Sequence, residues 1–317
     1  MTRVRSLPPL AAAALFALGA PLVAQAPPAT TAPGAPATRP AAASPADVPA
    51  PTVTPSRESL AEGKALFGKV VEWLGGSQKI ASVKDVRTRG RLTAKTPEGE
   101  ATMEVQSSLI FPYHLLQEVD SPFGRVVMVV TPTSAFLAAA TGTQDLPPAA
   151  AAELRRQVVR IPLNLARNAG DPKLAAAAAG KESIDGVDAA ILDLTYGGAA
   201  VRWFVDPKTG RILRTSHTGV SPDGKPVRMV SDYLDYKTVE GFPVAHRLEI
   251  TSNGEKDQTL IIDEYKFNTG VDLKLFEKPP PPSTTPQEPA HPLHAAPAAP
   301  PPAAPPPLSA STPTPRT

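Results

Sequence analysis

The stretch Val201–Arg214, VRWFVDPKTGRILR, decides the fold. Two apolar runs, Val201–Val205 and Ile212–Leu213, flank Asp206-Pro207-Lys208-Thr209-Gly210. Pro presets φ for a turn, Asp bonds back to the turn's own backbone, and Gly takes a positive φ. Trp, Phe, Val and Ile suit a pleated, half-buried surface. The stretch therefore predicts a β-hairpin, and the neighbouring sequence predicts a sheet that extends it.

Downstream, strands are expected at roughly 173–183, 187–195, 199–206, 211–219, 226–237, 243–252 and 257–267. Turns at Asp185-Gly186, Gly197-Gly198, Pro222-Asp223-Gly224, Glu240-Gly241 and Asn253-Gly254 separate them. Such regular punctuation indicates an antiparallel meander. The run Ala175–Ala179 also suits a helix. Upstream, Val86–Lys95 alternates strictly. Val86, Thr88, Gly90, Leu92 and Ala94 share one face, and Arg87, Arg89, Arg91, Thr93 and Lys95 share the other. A turn at Thr96–Gly99 leads to a partner strand with Met103, Val105, Leu109 and Phe111 facing one way. Further strands are expected at Tyr113–Asp120, Gly124–Thr131 and Ala135–Ala140. The run Val126–Val130 is too uniform to assign faces.

Helices are few. Ser59 and Glu62 have capping-box spacing. Leu60, Phe67, Val70, Val71 and Leu74 then recur at helical intervals, up to the stop at Gly75-Gly76. Ser77 caps a shorter turn. Pro147-Pro148 starts an Ala-rich helix, and a short one follows at Pro162–Asn168. About a dozen antiparallel strands exceed what a flat open sheet accommodates, so the sheet should curl and its concave face must be filled. The expected class is mainly β within α+β: a strongly curved antiparallel sheet, or incomplete β-barrel, with helices covering the concave face.

Composition sets the boundaries. Of 40 prolines, twelve lie in residues 1–56 and sixteen in 279–317, against a usual share of roughly 5%. Residues 1–26 read as a secretory signal: Arg3 and Arg5, an apolar Leu7–Val23, and the small-x-small Ala24-Gln25-Ala26. An uncleaved anchor is the other reading; either puts the folded part outside the cytoplasm. The expected organisation is a signal peptide at 1–26, a Pro/Ala-rich disordered linker at 27–57, a folded domain at 58–278 and a Pro/Ala-rich disordered tail at 279–317.

Most chemistry is excluded. The chain has no Cys, which removes disulfides, thiolate metal sites, thiol nucleophiles and a Cys-linked lipid anchor. A net charge of +2 gives no argument for nucleic acid. No nucleophile elbow, phosphate loop, dinucleotide fingerprint or zinc-protease motif is present, so neither an enzyme nor a cofactor is expected. His246 and Glu249 fall on opposite faces of a strand, a poor arrangement for a metal. Arg87, Arg89, Arg91 and Lys95 form a basic row with two readings: a solvated outer face that discourages edge pairing, or a docking face for an acidic partner or anionic headgroups.

Several stretches resemble the LolA type of periplasmic lipoprotein-sorting protein, especially its divergent acidobacterial-type members. They are KALFGKVVEWLGGSQKIASVKDVRTRGRL, FPYHLLQEVDSPFGRVV, QDLPPAAAAELRRQVVRIPLNLARN, VRWFVDPKTGRILR, DYKTVEGFPVAHRLEI and VDLKLFEKP, in that order. The resemblance spans about 60–278. The family often has an Asp-Gly turn where this chain has Thr131-Pro132-Thr133-Ser134. The resemblance implies a periplasmic, non-integral carrier whose half-barrel shields the acyl chains of a lipoprotein or lipid in a hydrophobic cavity. Candidate cavity residues are then Phe67, Val70, Val71 and Leu74 on the helix. On the sheet they are Met103, Val105, Leu109, Phe111, Leu115, Trp203, Val205, Leu248 and Ile250. Two alternatives stay open. The helix is either core or a lid over that cavity, and the protein is either a carrier or a non-catalytic module that binds an envelope protein partner.

Overall fold

Alternating side chains and tight turns build one antiparallel sheet, seen in a computed structural model that describes residues 55–96, 99–122, 124–220 and 225–279. The expected signal peptide, nearly all of the linker and tail, and the turn at Pro222–Gly224 lie outside the described residues. The chain begins with α1 (Arg57–Trp73) and α2 (Ser77–Ser82). It continues through β1 (Asp85–Thr96), β2 (Gly99–Ile110), β3 (His114–Ser121), β4 (Gly124–Val130), β5 (Ala135–Ala139) and β6 (Gly142–Asp145). Two helices follow, α3 (Pro148–Arg160) and α4 (Pro162–Arg167). A second meander comprises β7 (Ala175–Ile184), β8 (Val187–Tyr196), β9 (Ala199–Val205), β10 (Ile212–Val220), β11 (Pro226–Val239), β12 (Phe242–Ser252) and β13 (Glu255–Phe267). A 3-10 turn at Leu273–Phe276 ends it.

The 13 strands lie in the order β6-β5-β4-β3-β2-β1-β13-β12-β11-β10-β9-β8-β7. Each meander is sequential, and the pairing of β1 with β13 joins them. β6 and β7 are the edges, so the barrel is incomplete. The chain passes from one edge to the other through α3 and α4.

The hairpin of β9 and β10 forms as its residues dictate. Asp206 accepts from the Lys208 N–H at 2.9 Å and from the Thr209 hydroxyl at 2.8 Å. Gly210 takes φ 82° and lies against the α1 backbone at Lys69, where a side chain would not fit. Lys69 Nζ also donates to the Pro207 carbonyl at 3.0 Å, tying the turn to the helix. α1 starts earlier than the capping-box reading implies. Ser56 is its N-cap and accepts from the Ser59 N–H at 3.0 Å, so Ser59 already lies inside the first turn. Ala175–Ala178 form strand rather than helix and pair with Thr195–Leu192 of β8.

Both faces of β3–β5 are covered, which explains the uniform run at Val126–Val130. Met128 and Val130 pack with Leu154 and Val158 of α3. Val129 points the other way, against Val271 and Phe276 of the C-terminal segment. Asp85 anchors that segment, accepting from the Thr269 N–H and hydroxyl at 2.8 Å each and from the Gly270 N–H at 3.1 Å.

Curvature has a visible cause. β13 carries an extra residue, Asp263, opposite the Arg89–Gly90 step of β1. Asp235 in β11 takes the left-handed φ 52°. Such irregularities bend a strand and raise its twist. They also switch which residues face inward: Ile262 and Tyr265 both line the concave face, as do Tyr233 and Tyr236, and Ala245 and Leu248. At the bulge the backbones of β1 and β13 close in. A Cβ on Gly90 would overlap the Ile261 carbonyl oxygen and stand 2.9 Å from Ile262 Cα. Overpacking of this kind costs about 1–3 kcal/mol. Gly90→Ala should therefore lower unfolding stability by at least about 2 kcal/mol in denaturant titration. A loss under about 0.5 kcal/mol would show that the close approach does not constrain the sheet.

Candidate binding cavity

Whether a curved sheet leaves space on its concave side depends on how well its helices fill it. α1 fills one part. Phe67, Val70 and Val71 are buried against Trp203, Val205, Leu192 and Leu194, with the Phe67 and Trp203 rings 5.7 Å apart. Gly63 lets the helix approach until a Cβ there would stand 2.5 Å from the Ala176 carbonyl oxygen. α3 fills another part, through Leu154 and Val158. Between them remains a cavity of about 280 Å³, lined from β3 round to β9 and by the junction of α3 and α4.

The strand register writes the floor of this cavity as rows. Leu115, Leu109, Val86 and Phe267 stand opposite one another across β3, β2, β1 and β13. The next row inward is polar: Gln117, Ser107, Thr88 and Tyr265. Leu260, Leu248 and Tyr233 form an apolar row farther along β13, β12 and β11. The tyrosine hydroxyls are engaged within the protein. Tyr236 donates to the Ile212 carbonyl at 2.9 Å and Tyr265 to the Ala245 carbonyl at 2.7 Å. Burial pushes both hydroxyls, and that of Tyr233, above their ordinary pKa.

One corner of the lining is polar. Arg160 ends α3 and is almost wholly buried; it donates from Nε to the Ala200 carbonyl at 3.0 Å and from Nη1 to Glu153 at 2.7 Å. Glu153 also accepts from Arg156 Nε at 2.8 Å, so two guanidiniums share one buried carboxylate. Burial pulls the Arg160 guanidinium below its usual pKa, and Glu153 opposes that. His217, Thr215 and Ser231 complete the corner, with Thr215 directly opposite Ser231. Burial, and secondarily the Arg160 charge, drives the His217 imidazole down to about 3. It is therefore neutral at ordinary pH, and its Nε2 has no hydrogen-bond partner among the described residues.

The sequence-derived candidates separate into three places. Leu74, Val105, Leu109, Phe111, Leu115, Leu248 and Ile250 line the cavity. Phe67, Val70, Val71, Trp203 and Val205 lie in the packed core beneath α1. Met103 packs with Leu92 and Ala94 in a smaller cluster. Sequence reasoning missed the tyrosines, Arg160 and His217. The phase changes at the strand irregularities bring Tyr236 and Tyr265 inward, and no local pattern marks a bulge there. The basic row Arg87, Arg89, Arg91 and Lys95 is exposed on the outer face. There Arg89 reaches Glu264 at 3.9 Å and Arg91 reaches Asp263 at 3.2 Å, both on β13. Among the described residues no group of three His, Asp or Glu is placed to hold a metal, and no helix is long and apolar enough to cross a membrane.

Solved structures of similar build exist. One is a domain from Vibrio parahaemolyticus named for outer membrane lipoprotein sorting, 14% identical, covering 68% of this chain and 97% of its own, with a TM-score of 0.46. A DUF1329 family protein from Desulfovibrio piger is 11% identical over the same shares, with a TM-score of 0.49. A LolA superfamily protein from Nitrosomonas europaea is 14% identical, again over 68% and 97%, with a TM-score of 0.47. No family model and no curated protein matches the chain.

The state of His217 has a measurable consequence. Its folded pKa lies below the unfolded value of about 6.5, so below that pH the unfolded chain binds a proton that the folded chain refuses. The stability associated with the neutral imidazole is present above pH ~6.5 and is lost as pH falls toward the folded value. Between pH ~6.5 and ~4.5 the loss should be about 2 kcal/mol, measured by denaturant unfolding. His217→Gln should remove that part of the slope and leave the part due to carboxylates. An unchanged slope would show that His217 titrates normally.

Proposed function

We propose that this protein is a non-catalytic binding protein of the cell envelope that takes an acyl chain of a lipoprotein or lipid into its concave cavity, in the manner of lipoprotein sorting or lipid transport. The observation that carries this reading is the cavity itself: a predominantly apolar, partly open space walled by a curved sheet and the α3–α4 junction. Its volume of about 280 Å³ is near the lower end for small-molecule sites, roughly 300–1,000 Å³. At about 30 Å³ per water-sized group it holds on the order of ten methylenes, which suits one chain rather than several. Each methylene withdrawn from water contributes about 0.8 kcal/mol. A larger or multiply acylated cargo requires the walls to part, and α3 and α4 form the wall that lies outside the sheet ladder.

The envelope location rests on the signal-like residues 1–26, and the division into linker, folded domain at 58–278 and tail belongs to the same proposal. The competing reading, an envelope protein-interaction module that docks through Arg87, Arg89, Arg91 and Lys95, is less well supported. Arg89 and Arg91 already have carboxylate neighbours on β13, as a solvated outer face would.

Leu248 projects into the cavity from β12 between Leu260 and Tyr233. A charge there meets an apolar site and a ligand tail. Wild-type protein titrated with a fluorescent long-chain acyl probe should show saturable binding. Leu248→Glu should weaken it by about tenfold or more, a change of about 1.4 kcal/mol, with the circular dichroism spectrum unchanged. No saturable uptake by the wild type would end the acyl-binding reading.

A further inference from the structure

A purely hydrophobic carrier needs no polar groups in its cavity, because burying them without partners is costly. This cavity nonetheless has a polar corner, and its composition is one-sided. Arg160 contributes a buried guanidinium to the lining. Among the described lining residues none is an Asp or Glu. Arg89, the other cationic residue of the lining, has its side chain on the outer face with Glu264. The carboxylate nearest Arg160, that of Glu153, is shared with Arg156, so the trio carries one net positive charge. Guanidinium has five N–H donors, and the bonds to Ala200 and Glu153 leave others available. Beside it stands His217, neutral and with an unpartnered Nε2. The tautomer protonated at Nε2 donates to an anion there. The walls from Leu109 and Val86 to Phe242 and Phe267 are apolar, and the row of Gln117, Ser107, Thr88 and Tyr265 beside them brings no charge.

We propose that the cavity binds a single acyl chain ending in a free carboxylate, a long-chain fatty acid, with its head against Arg160 and His217 and its tail along the apolar rows. The inference rests on the reading of the cavity as an acyl site and adds the headgroup to it. The confined volume favours a carboxylate over a bulkier phosphoglycerol head, and a guanidinium matches a carboxylate's planar pair of oxygens. Hydrogen bonds to charged groups are strong enough to make the preference large.

Calorimetric titration of the full chain at neutral pH tests this with three probes: laurate, methyl laurate and dodecyl phosphate. Laurate should bind about tenfold or more tightly than its methyl ester. Arg160→Gln should bring the two affinities together by weakening laurate alone, with ester binding retained. The wild-type ratio of acid to ester decides the matter even if the variant does not fold. Equal affinities for laurate and its ester would overturn the headgroup assignment and leave the acyl site standing. Tightest binding of dodecyl phosphate would overturn the carboxylate in favour of a phosphate-headed lipid. Binding of no probe would remove the acyl site and the headgroup together.

Discussion

Everything on the concave face depends on the pairing of β1 with β13. Each meander assembles from hairpins between neighbours in sequence, but only this contact joins them into one sheet. Arg89 and Glu264 are far apart along the chain, so their register is reached only after a large loop closes. The join is not a regular ladder. The extra residue at Asp263 and the absent Cβ of Gly90 let two backbones approach, an irregularity of the kind that bends strands. A sheet bent along its middle strands brings its outer strands round toward each other, and α3 then spans the space between β4 and β9.

The helices divide the enclosed space unequally. α1 cannot be treated as a simple lid, because Phe67, Val70 and Val71 are fully buried and Gly63 sits against the β7 backbone. Lifting it would expose several large side chains, each worth roughly 1.5–3 kcal/mol in burial. α3 and α4 are held by packing too, through Leu154, Val158 and Leu165. Their polar ties include Arg160 to the β9 carbonyl of Ala200 and Arg167 to the carbonyls of Ile80 and Val83 at the end of α2. The cavity lies under this second pair. Its shape therefore follows from α1 packing on one half of the sheet and α3 packing on the other, with the space left between them.

Much of the sheet could be read directly from the residues. Strict alternation placed β1 and its exposed arginines, and the Asp206–Gly210 turn fell where Asp, Pro and Gly required it. The four-residue β6, Gly-Thr-Gln-Asp, has no apolar side to mark it. The Val126–Val130 run had no readable phase because both of its faces are buried. The joining of β1 to β13 could not be inferred from local pattern, since nothing in either strand names its partner. Apolar periodicity together with the family resemblance pointed to Leu74, Leu109, Leu115 and Leu248, which line the cavity, and to Phe67, Val70 and Trp203, which pack beneath α1. Periodicity reports burial and does not distinguish a cavity wall from a filled core. Arg160 and His217 were harder still, because what sets them apart is burial beside each other, brought about by a helix end meeting β10.

On the proposed function, the concave space holds one apolar chain. The most direct measurement is a crystal structure of the protein grown with a long-chain fatty acid. Continuous density for one chain between Leu109, Phe267, Leu248 and Tyr233, in an otherwise unchanged sheet, is the predicted result. A cavity closed by inward rotation of Trp73, Phe242 or Leu163, with no chain bound, would contradict it.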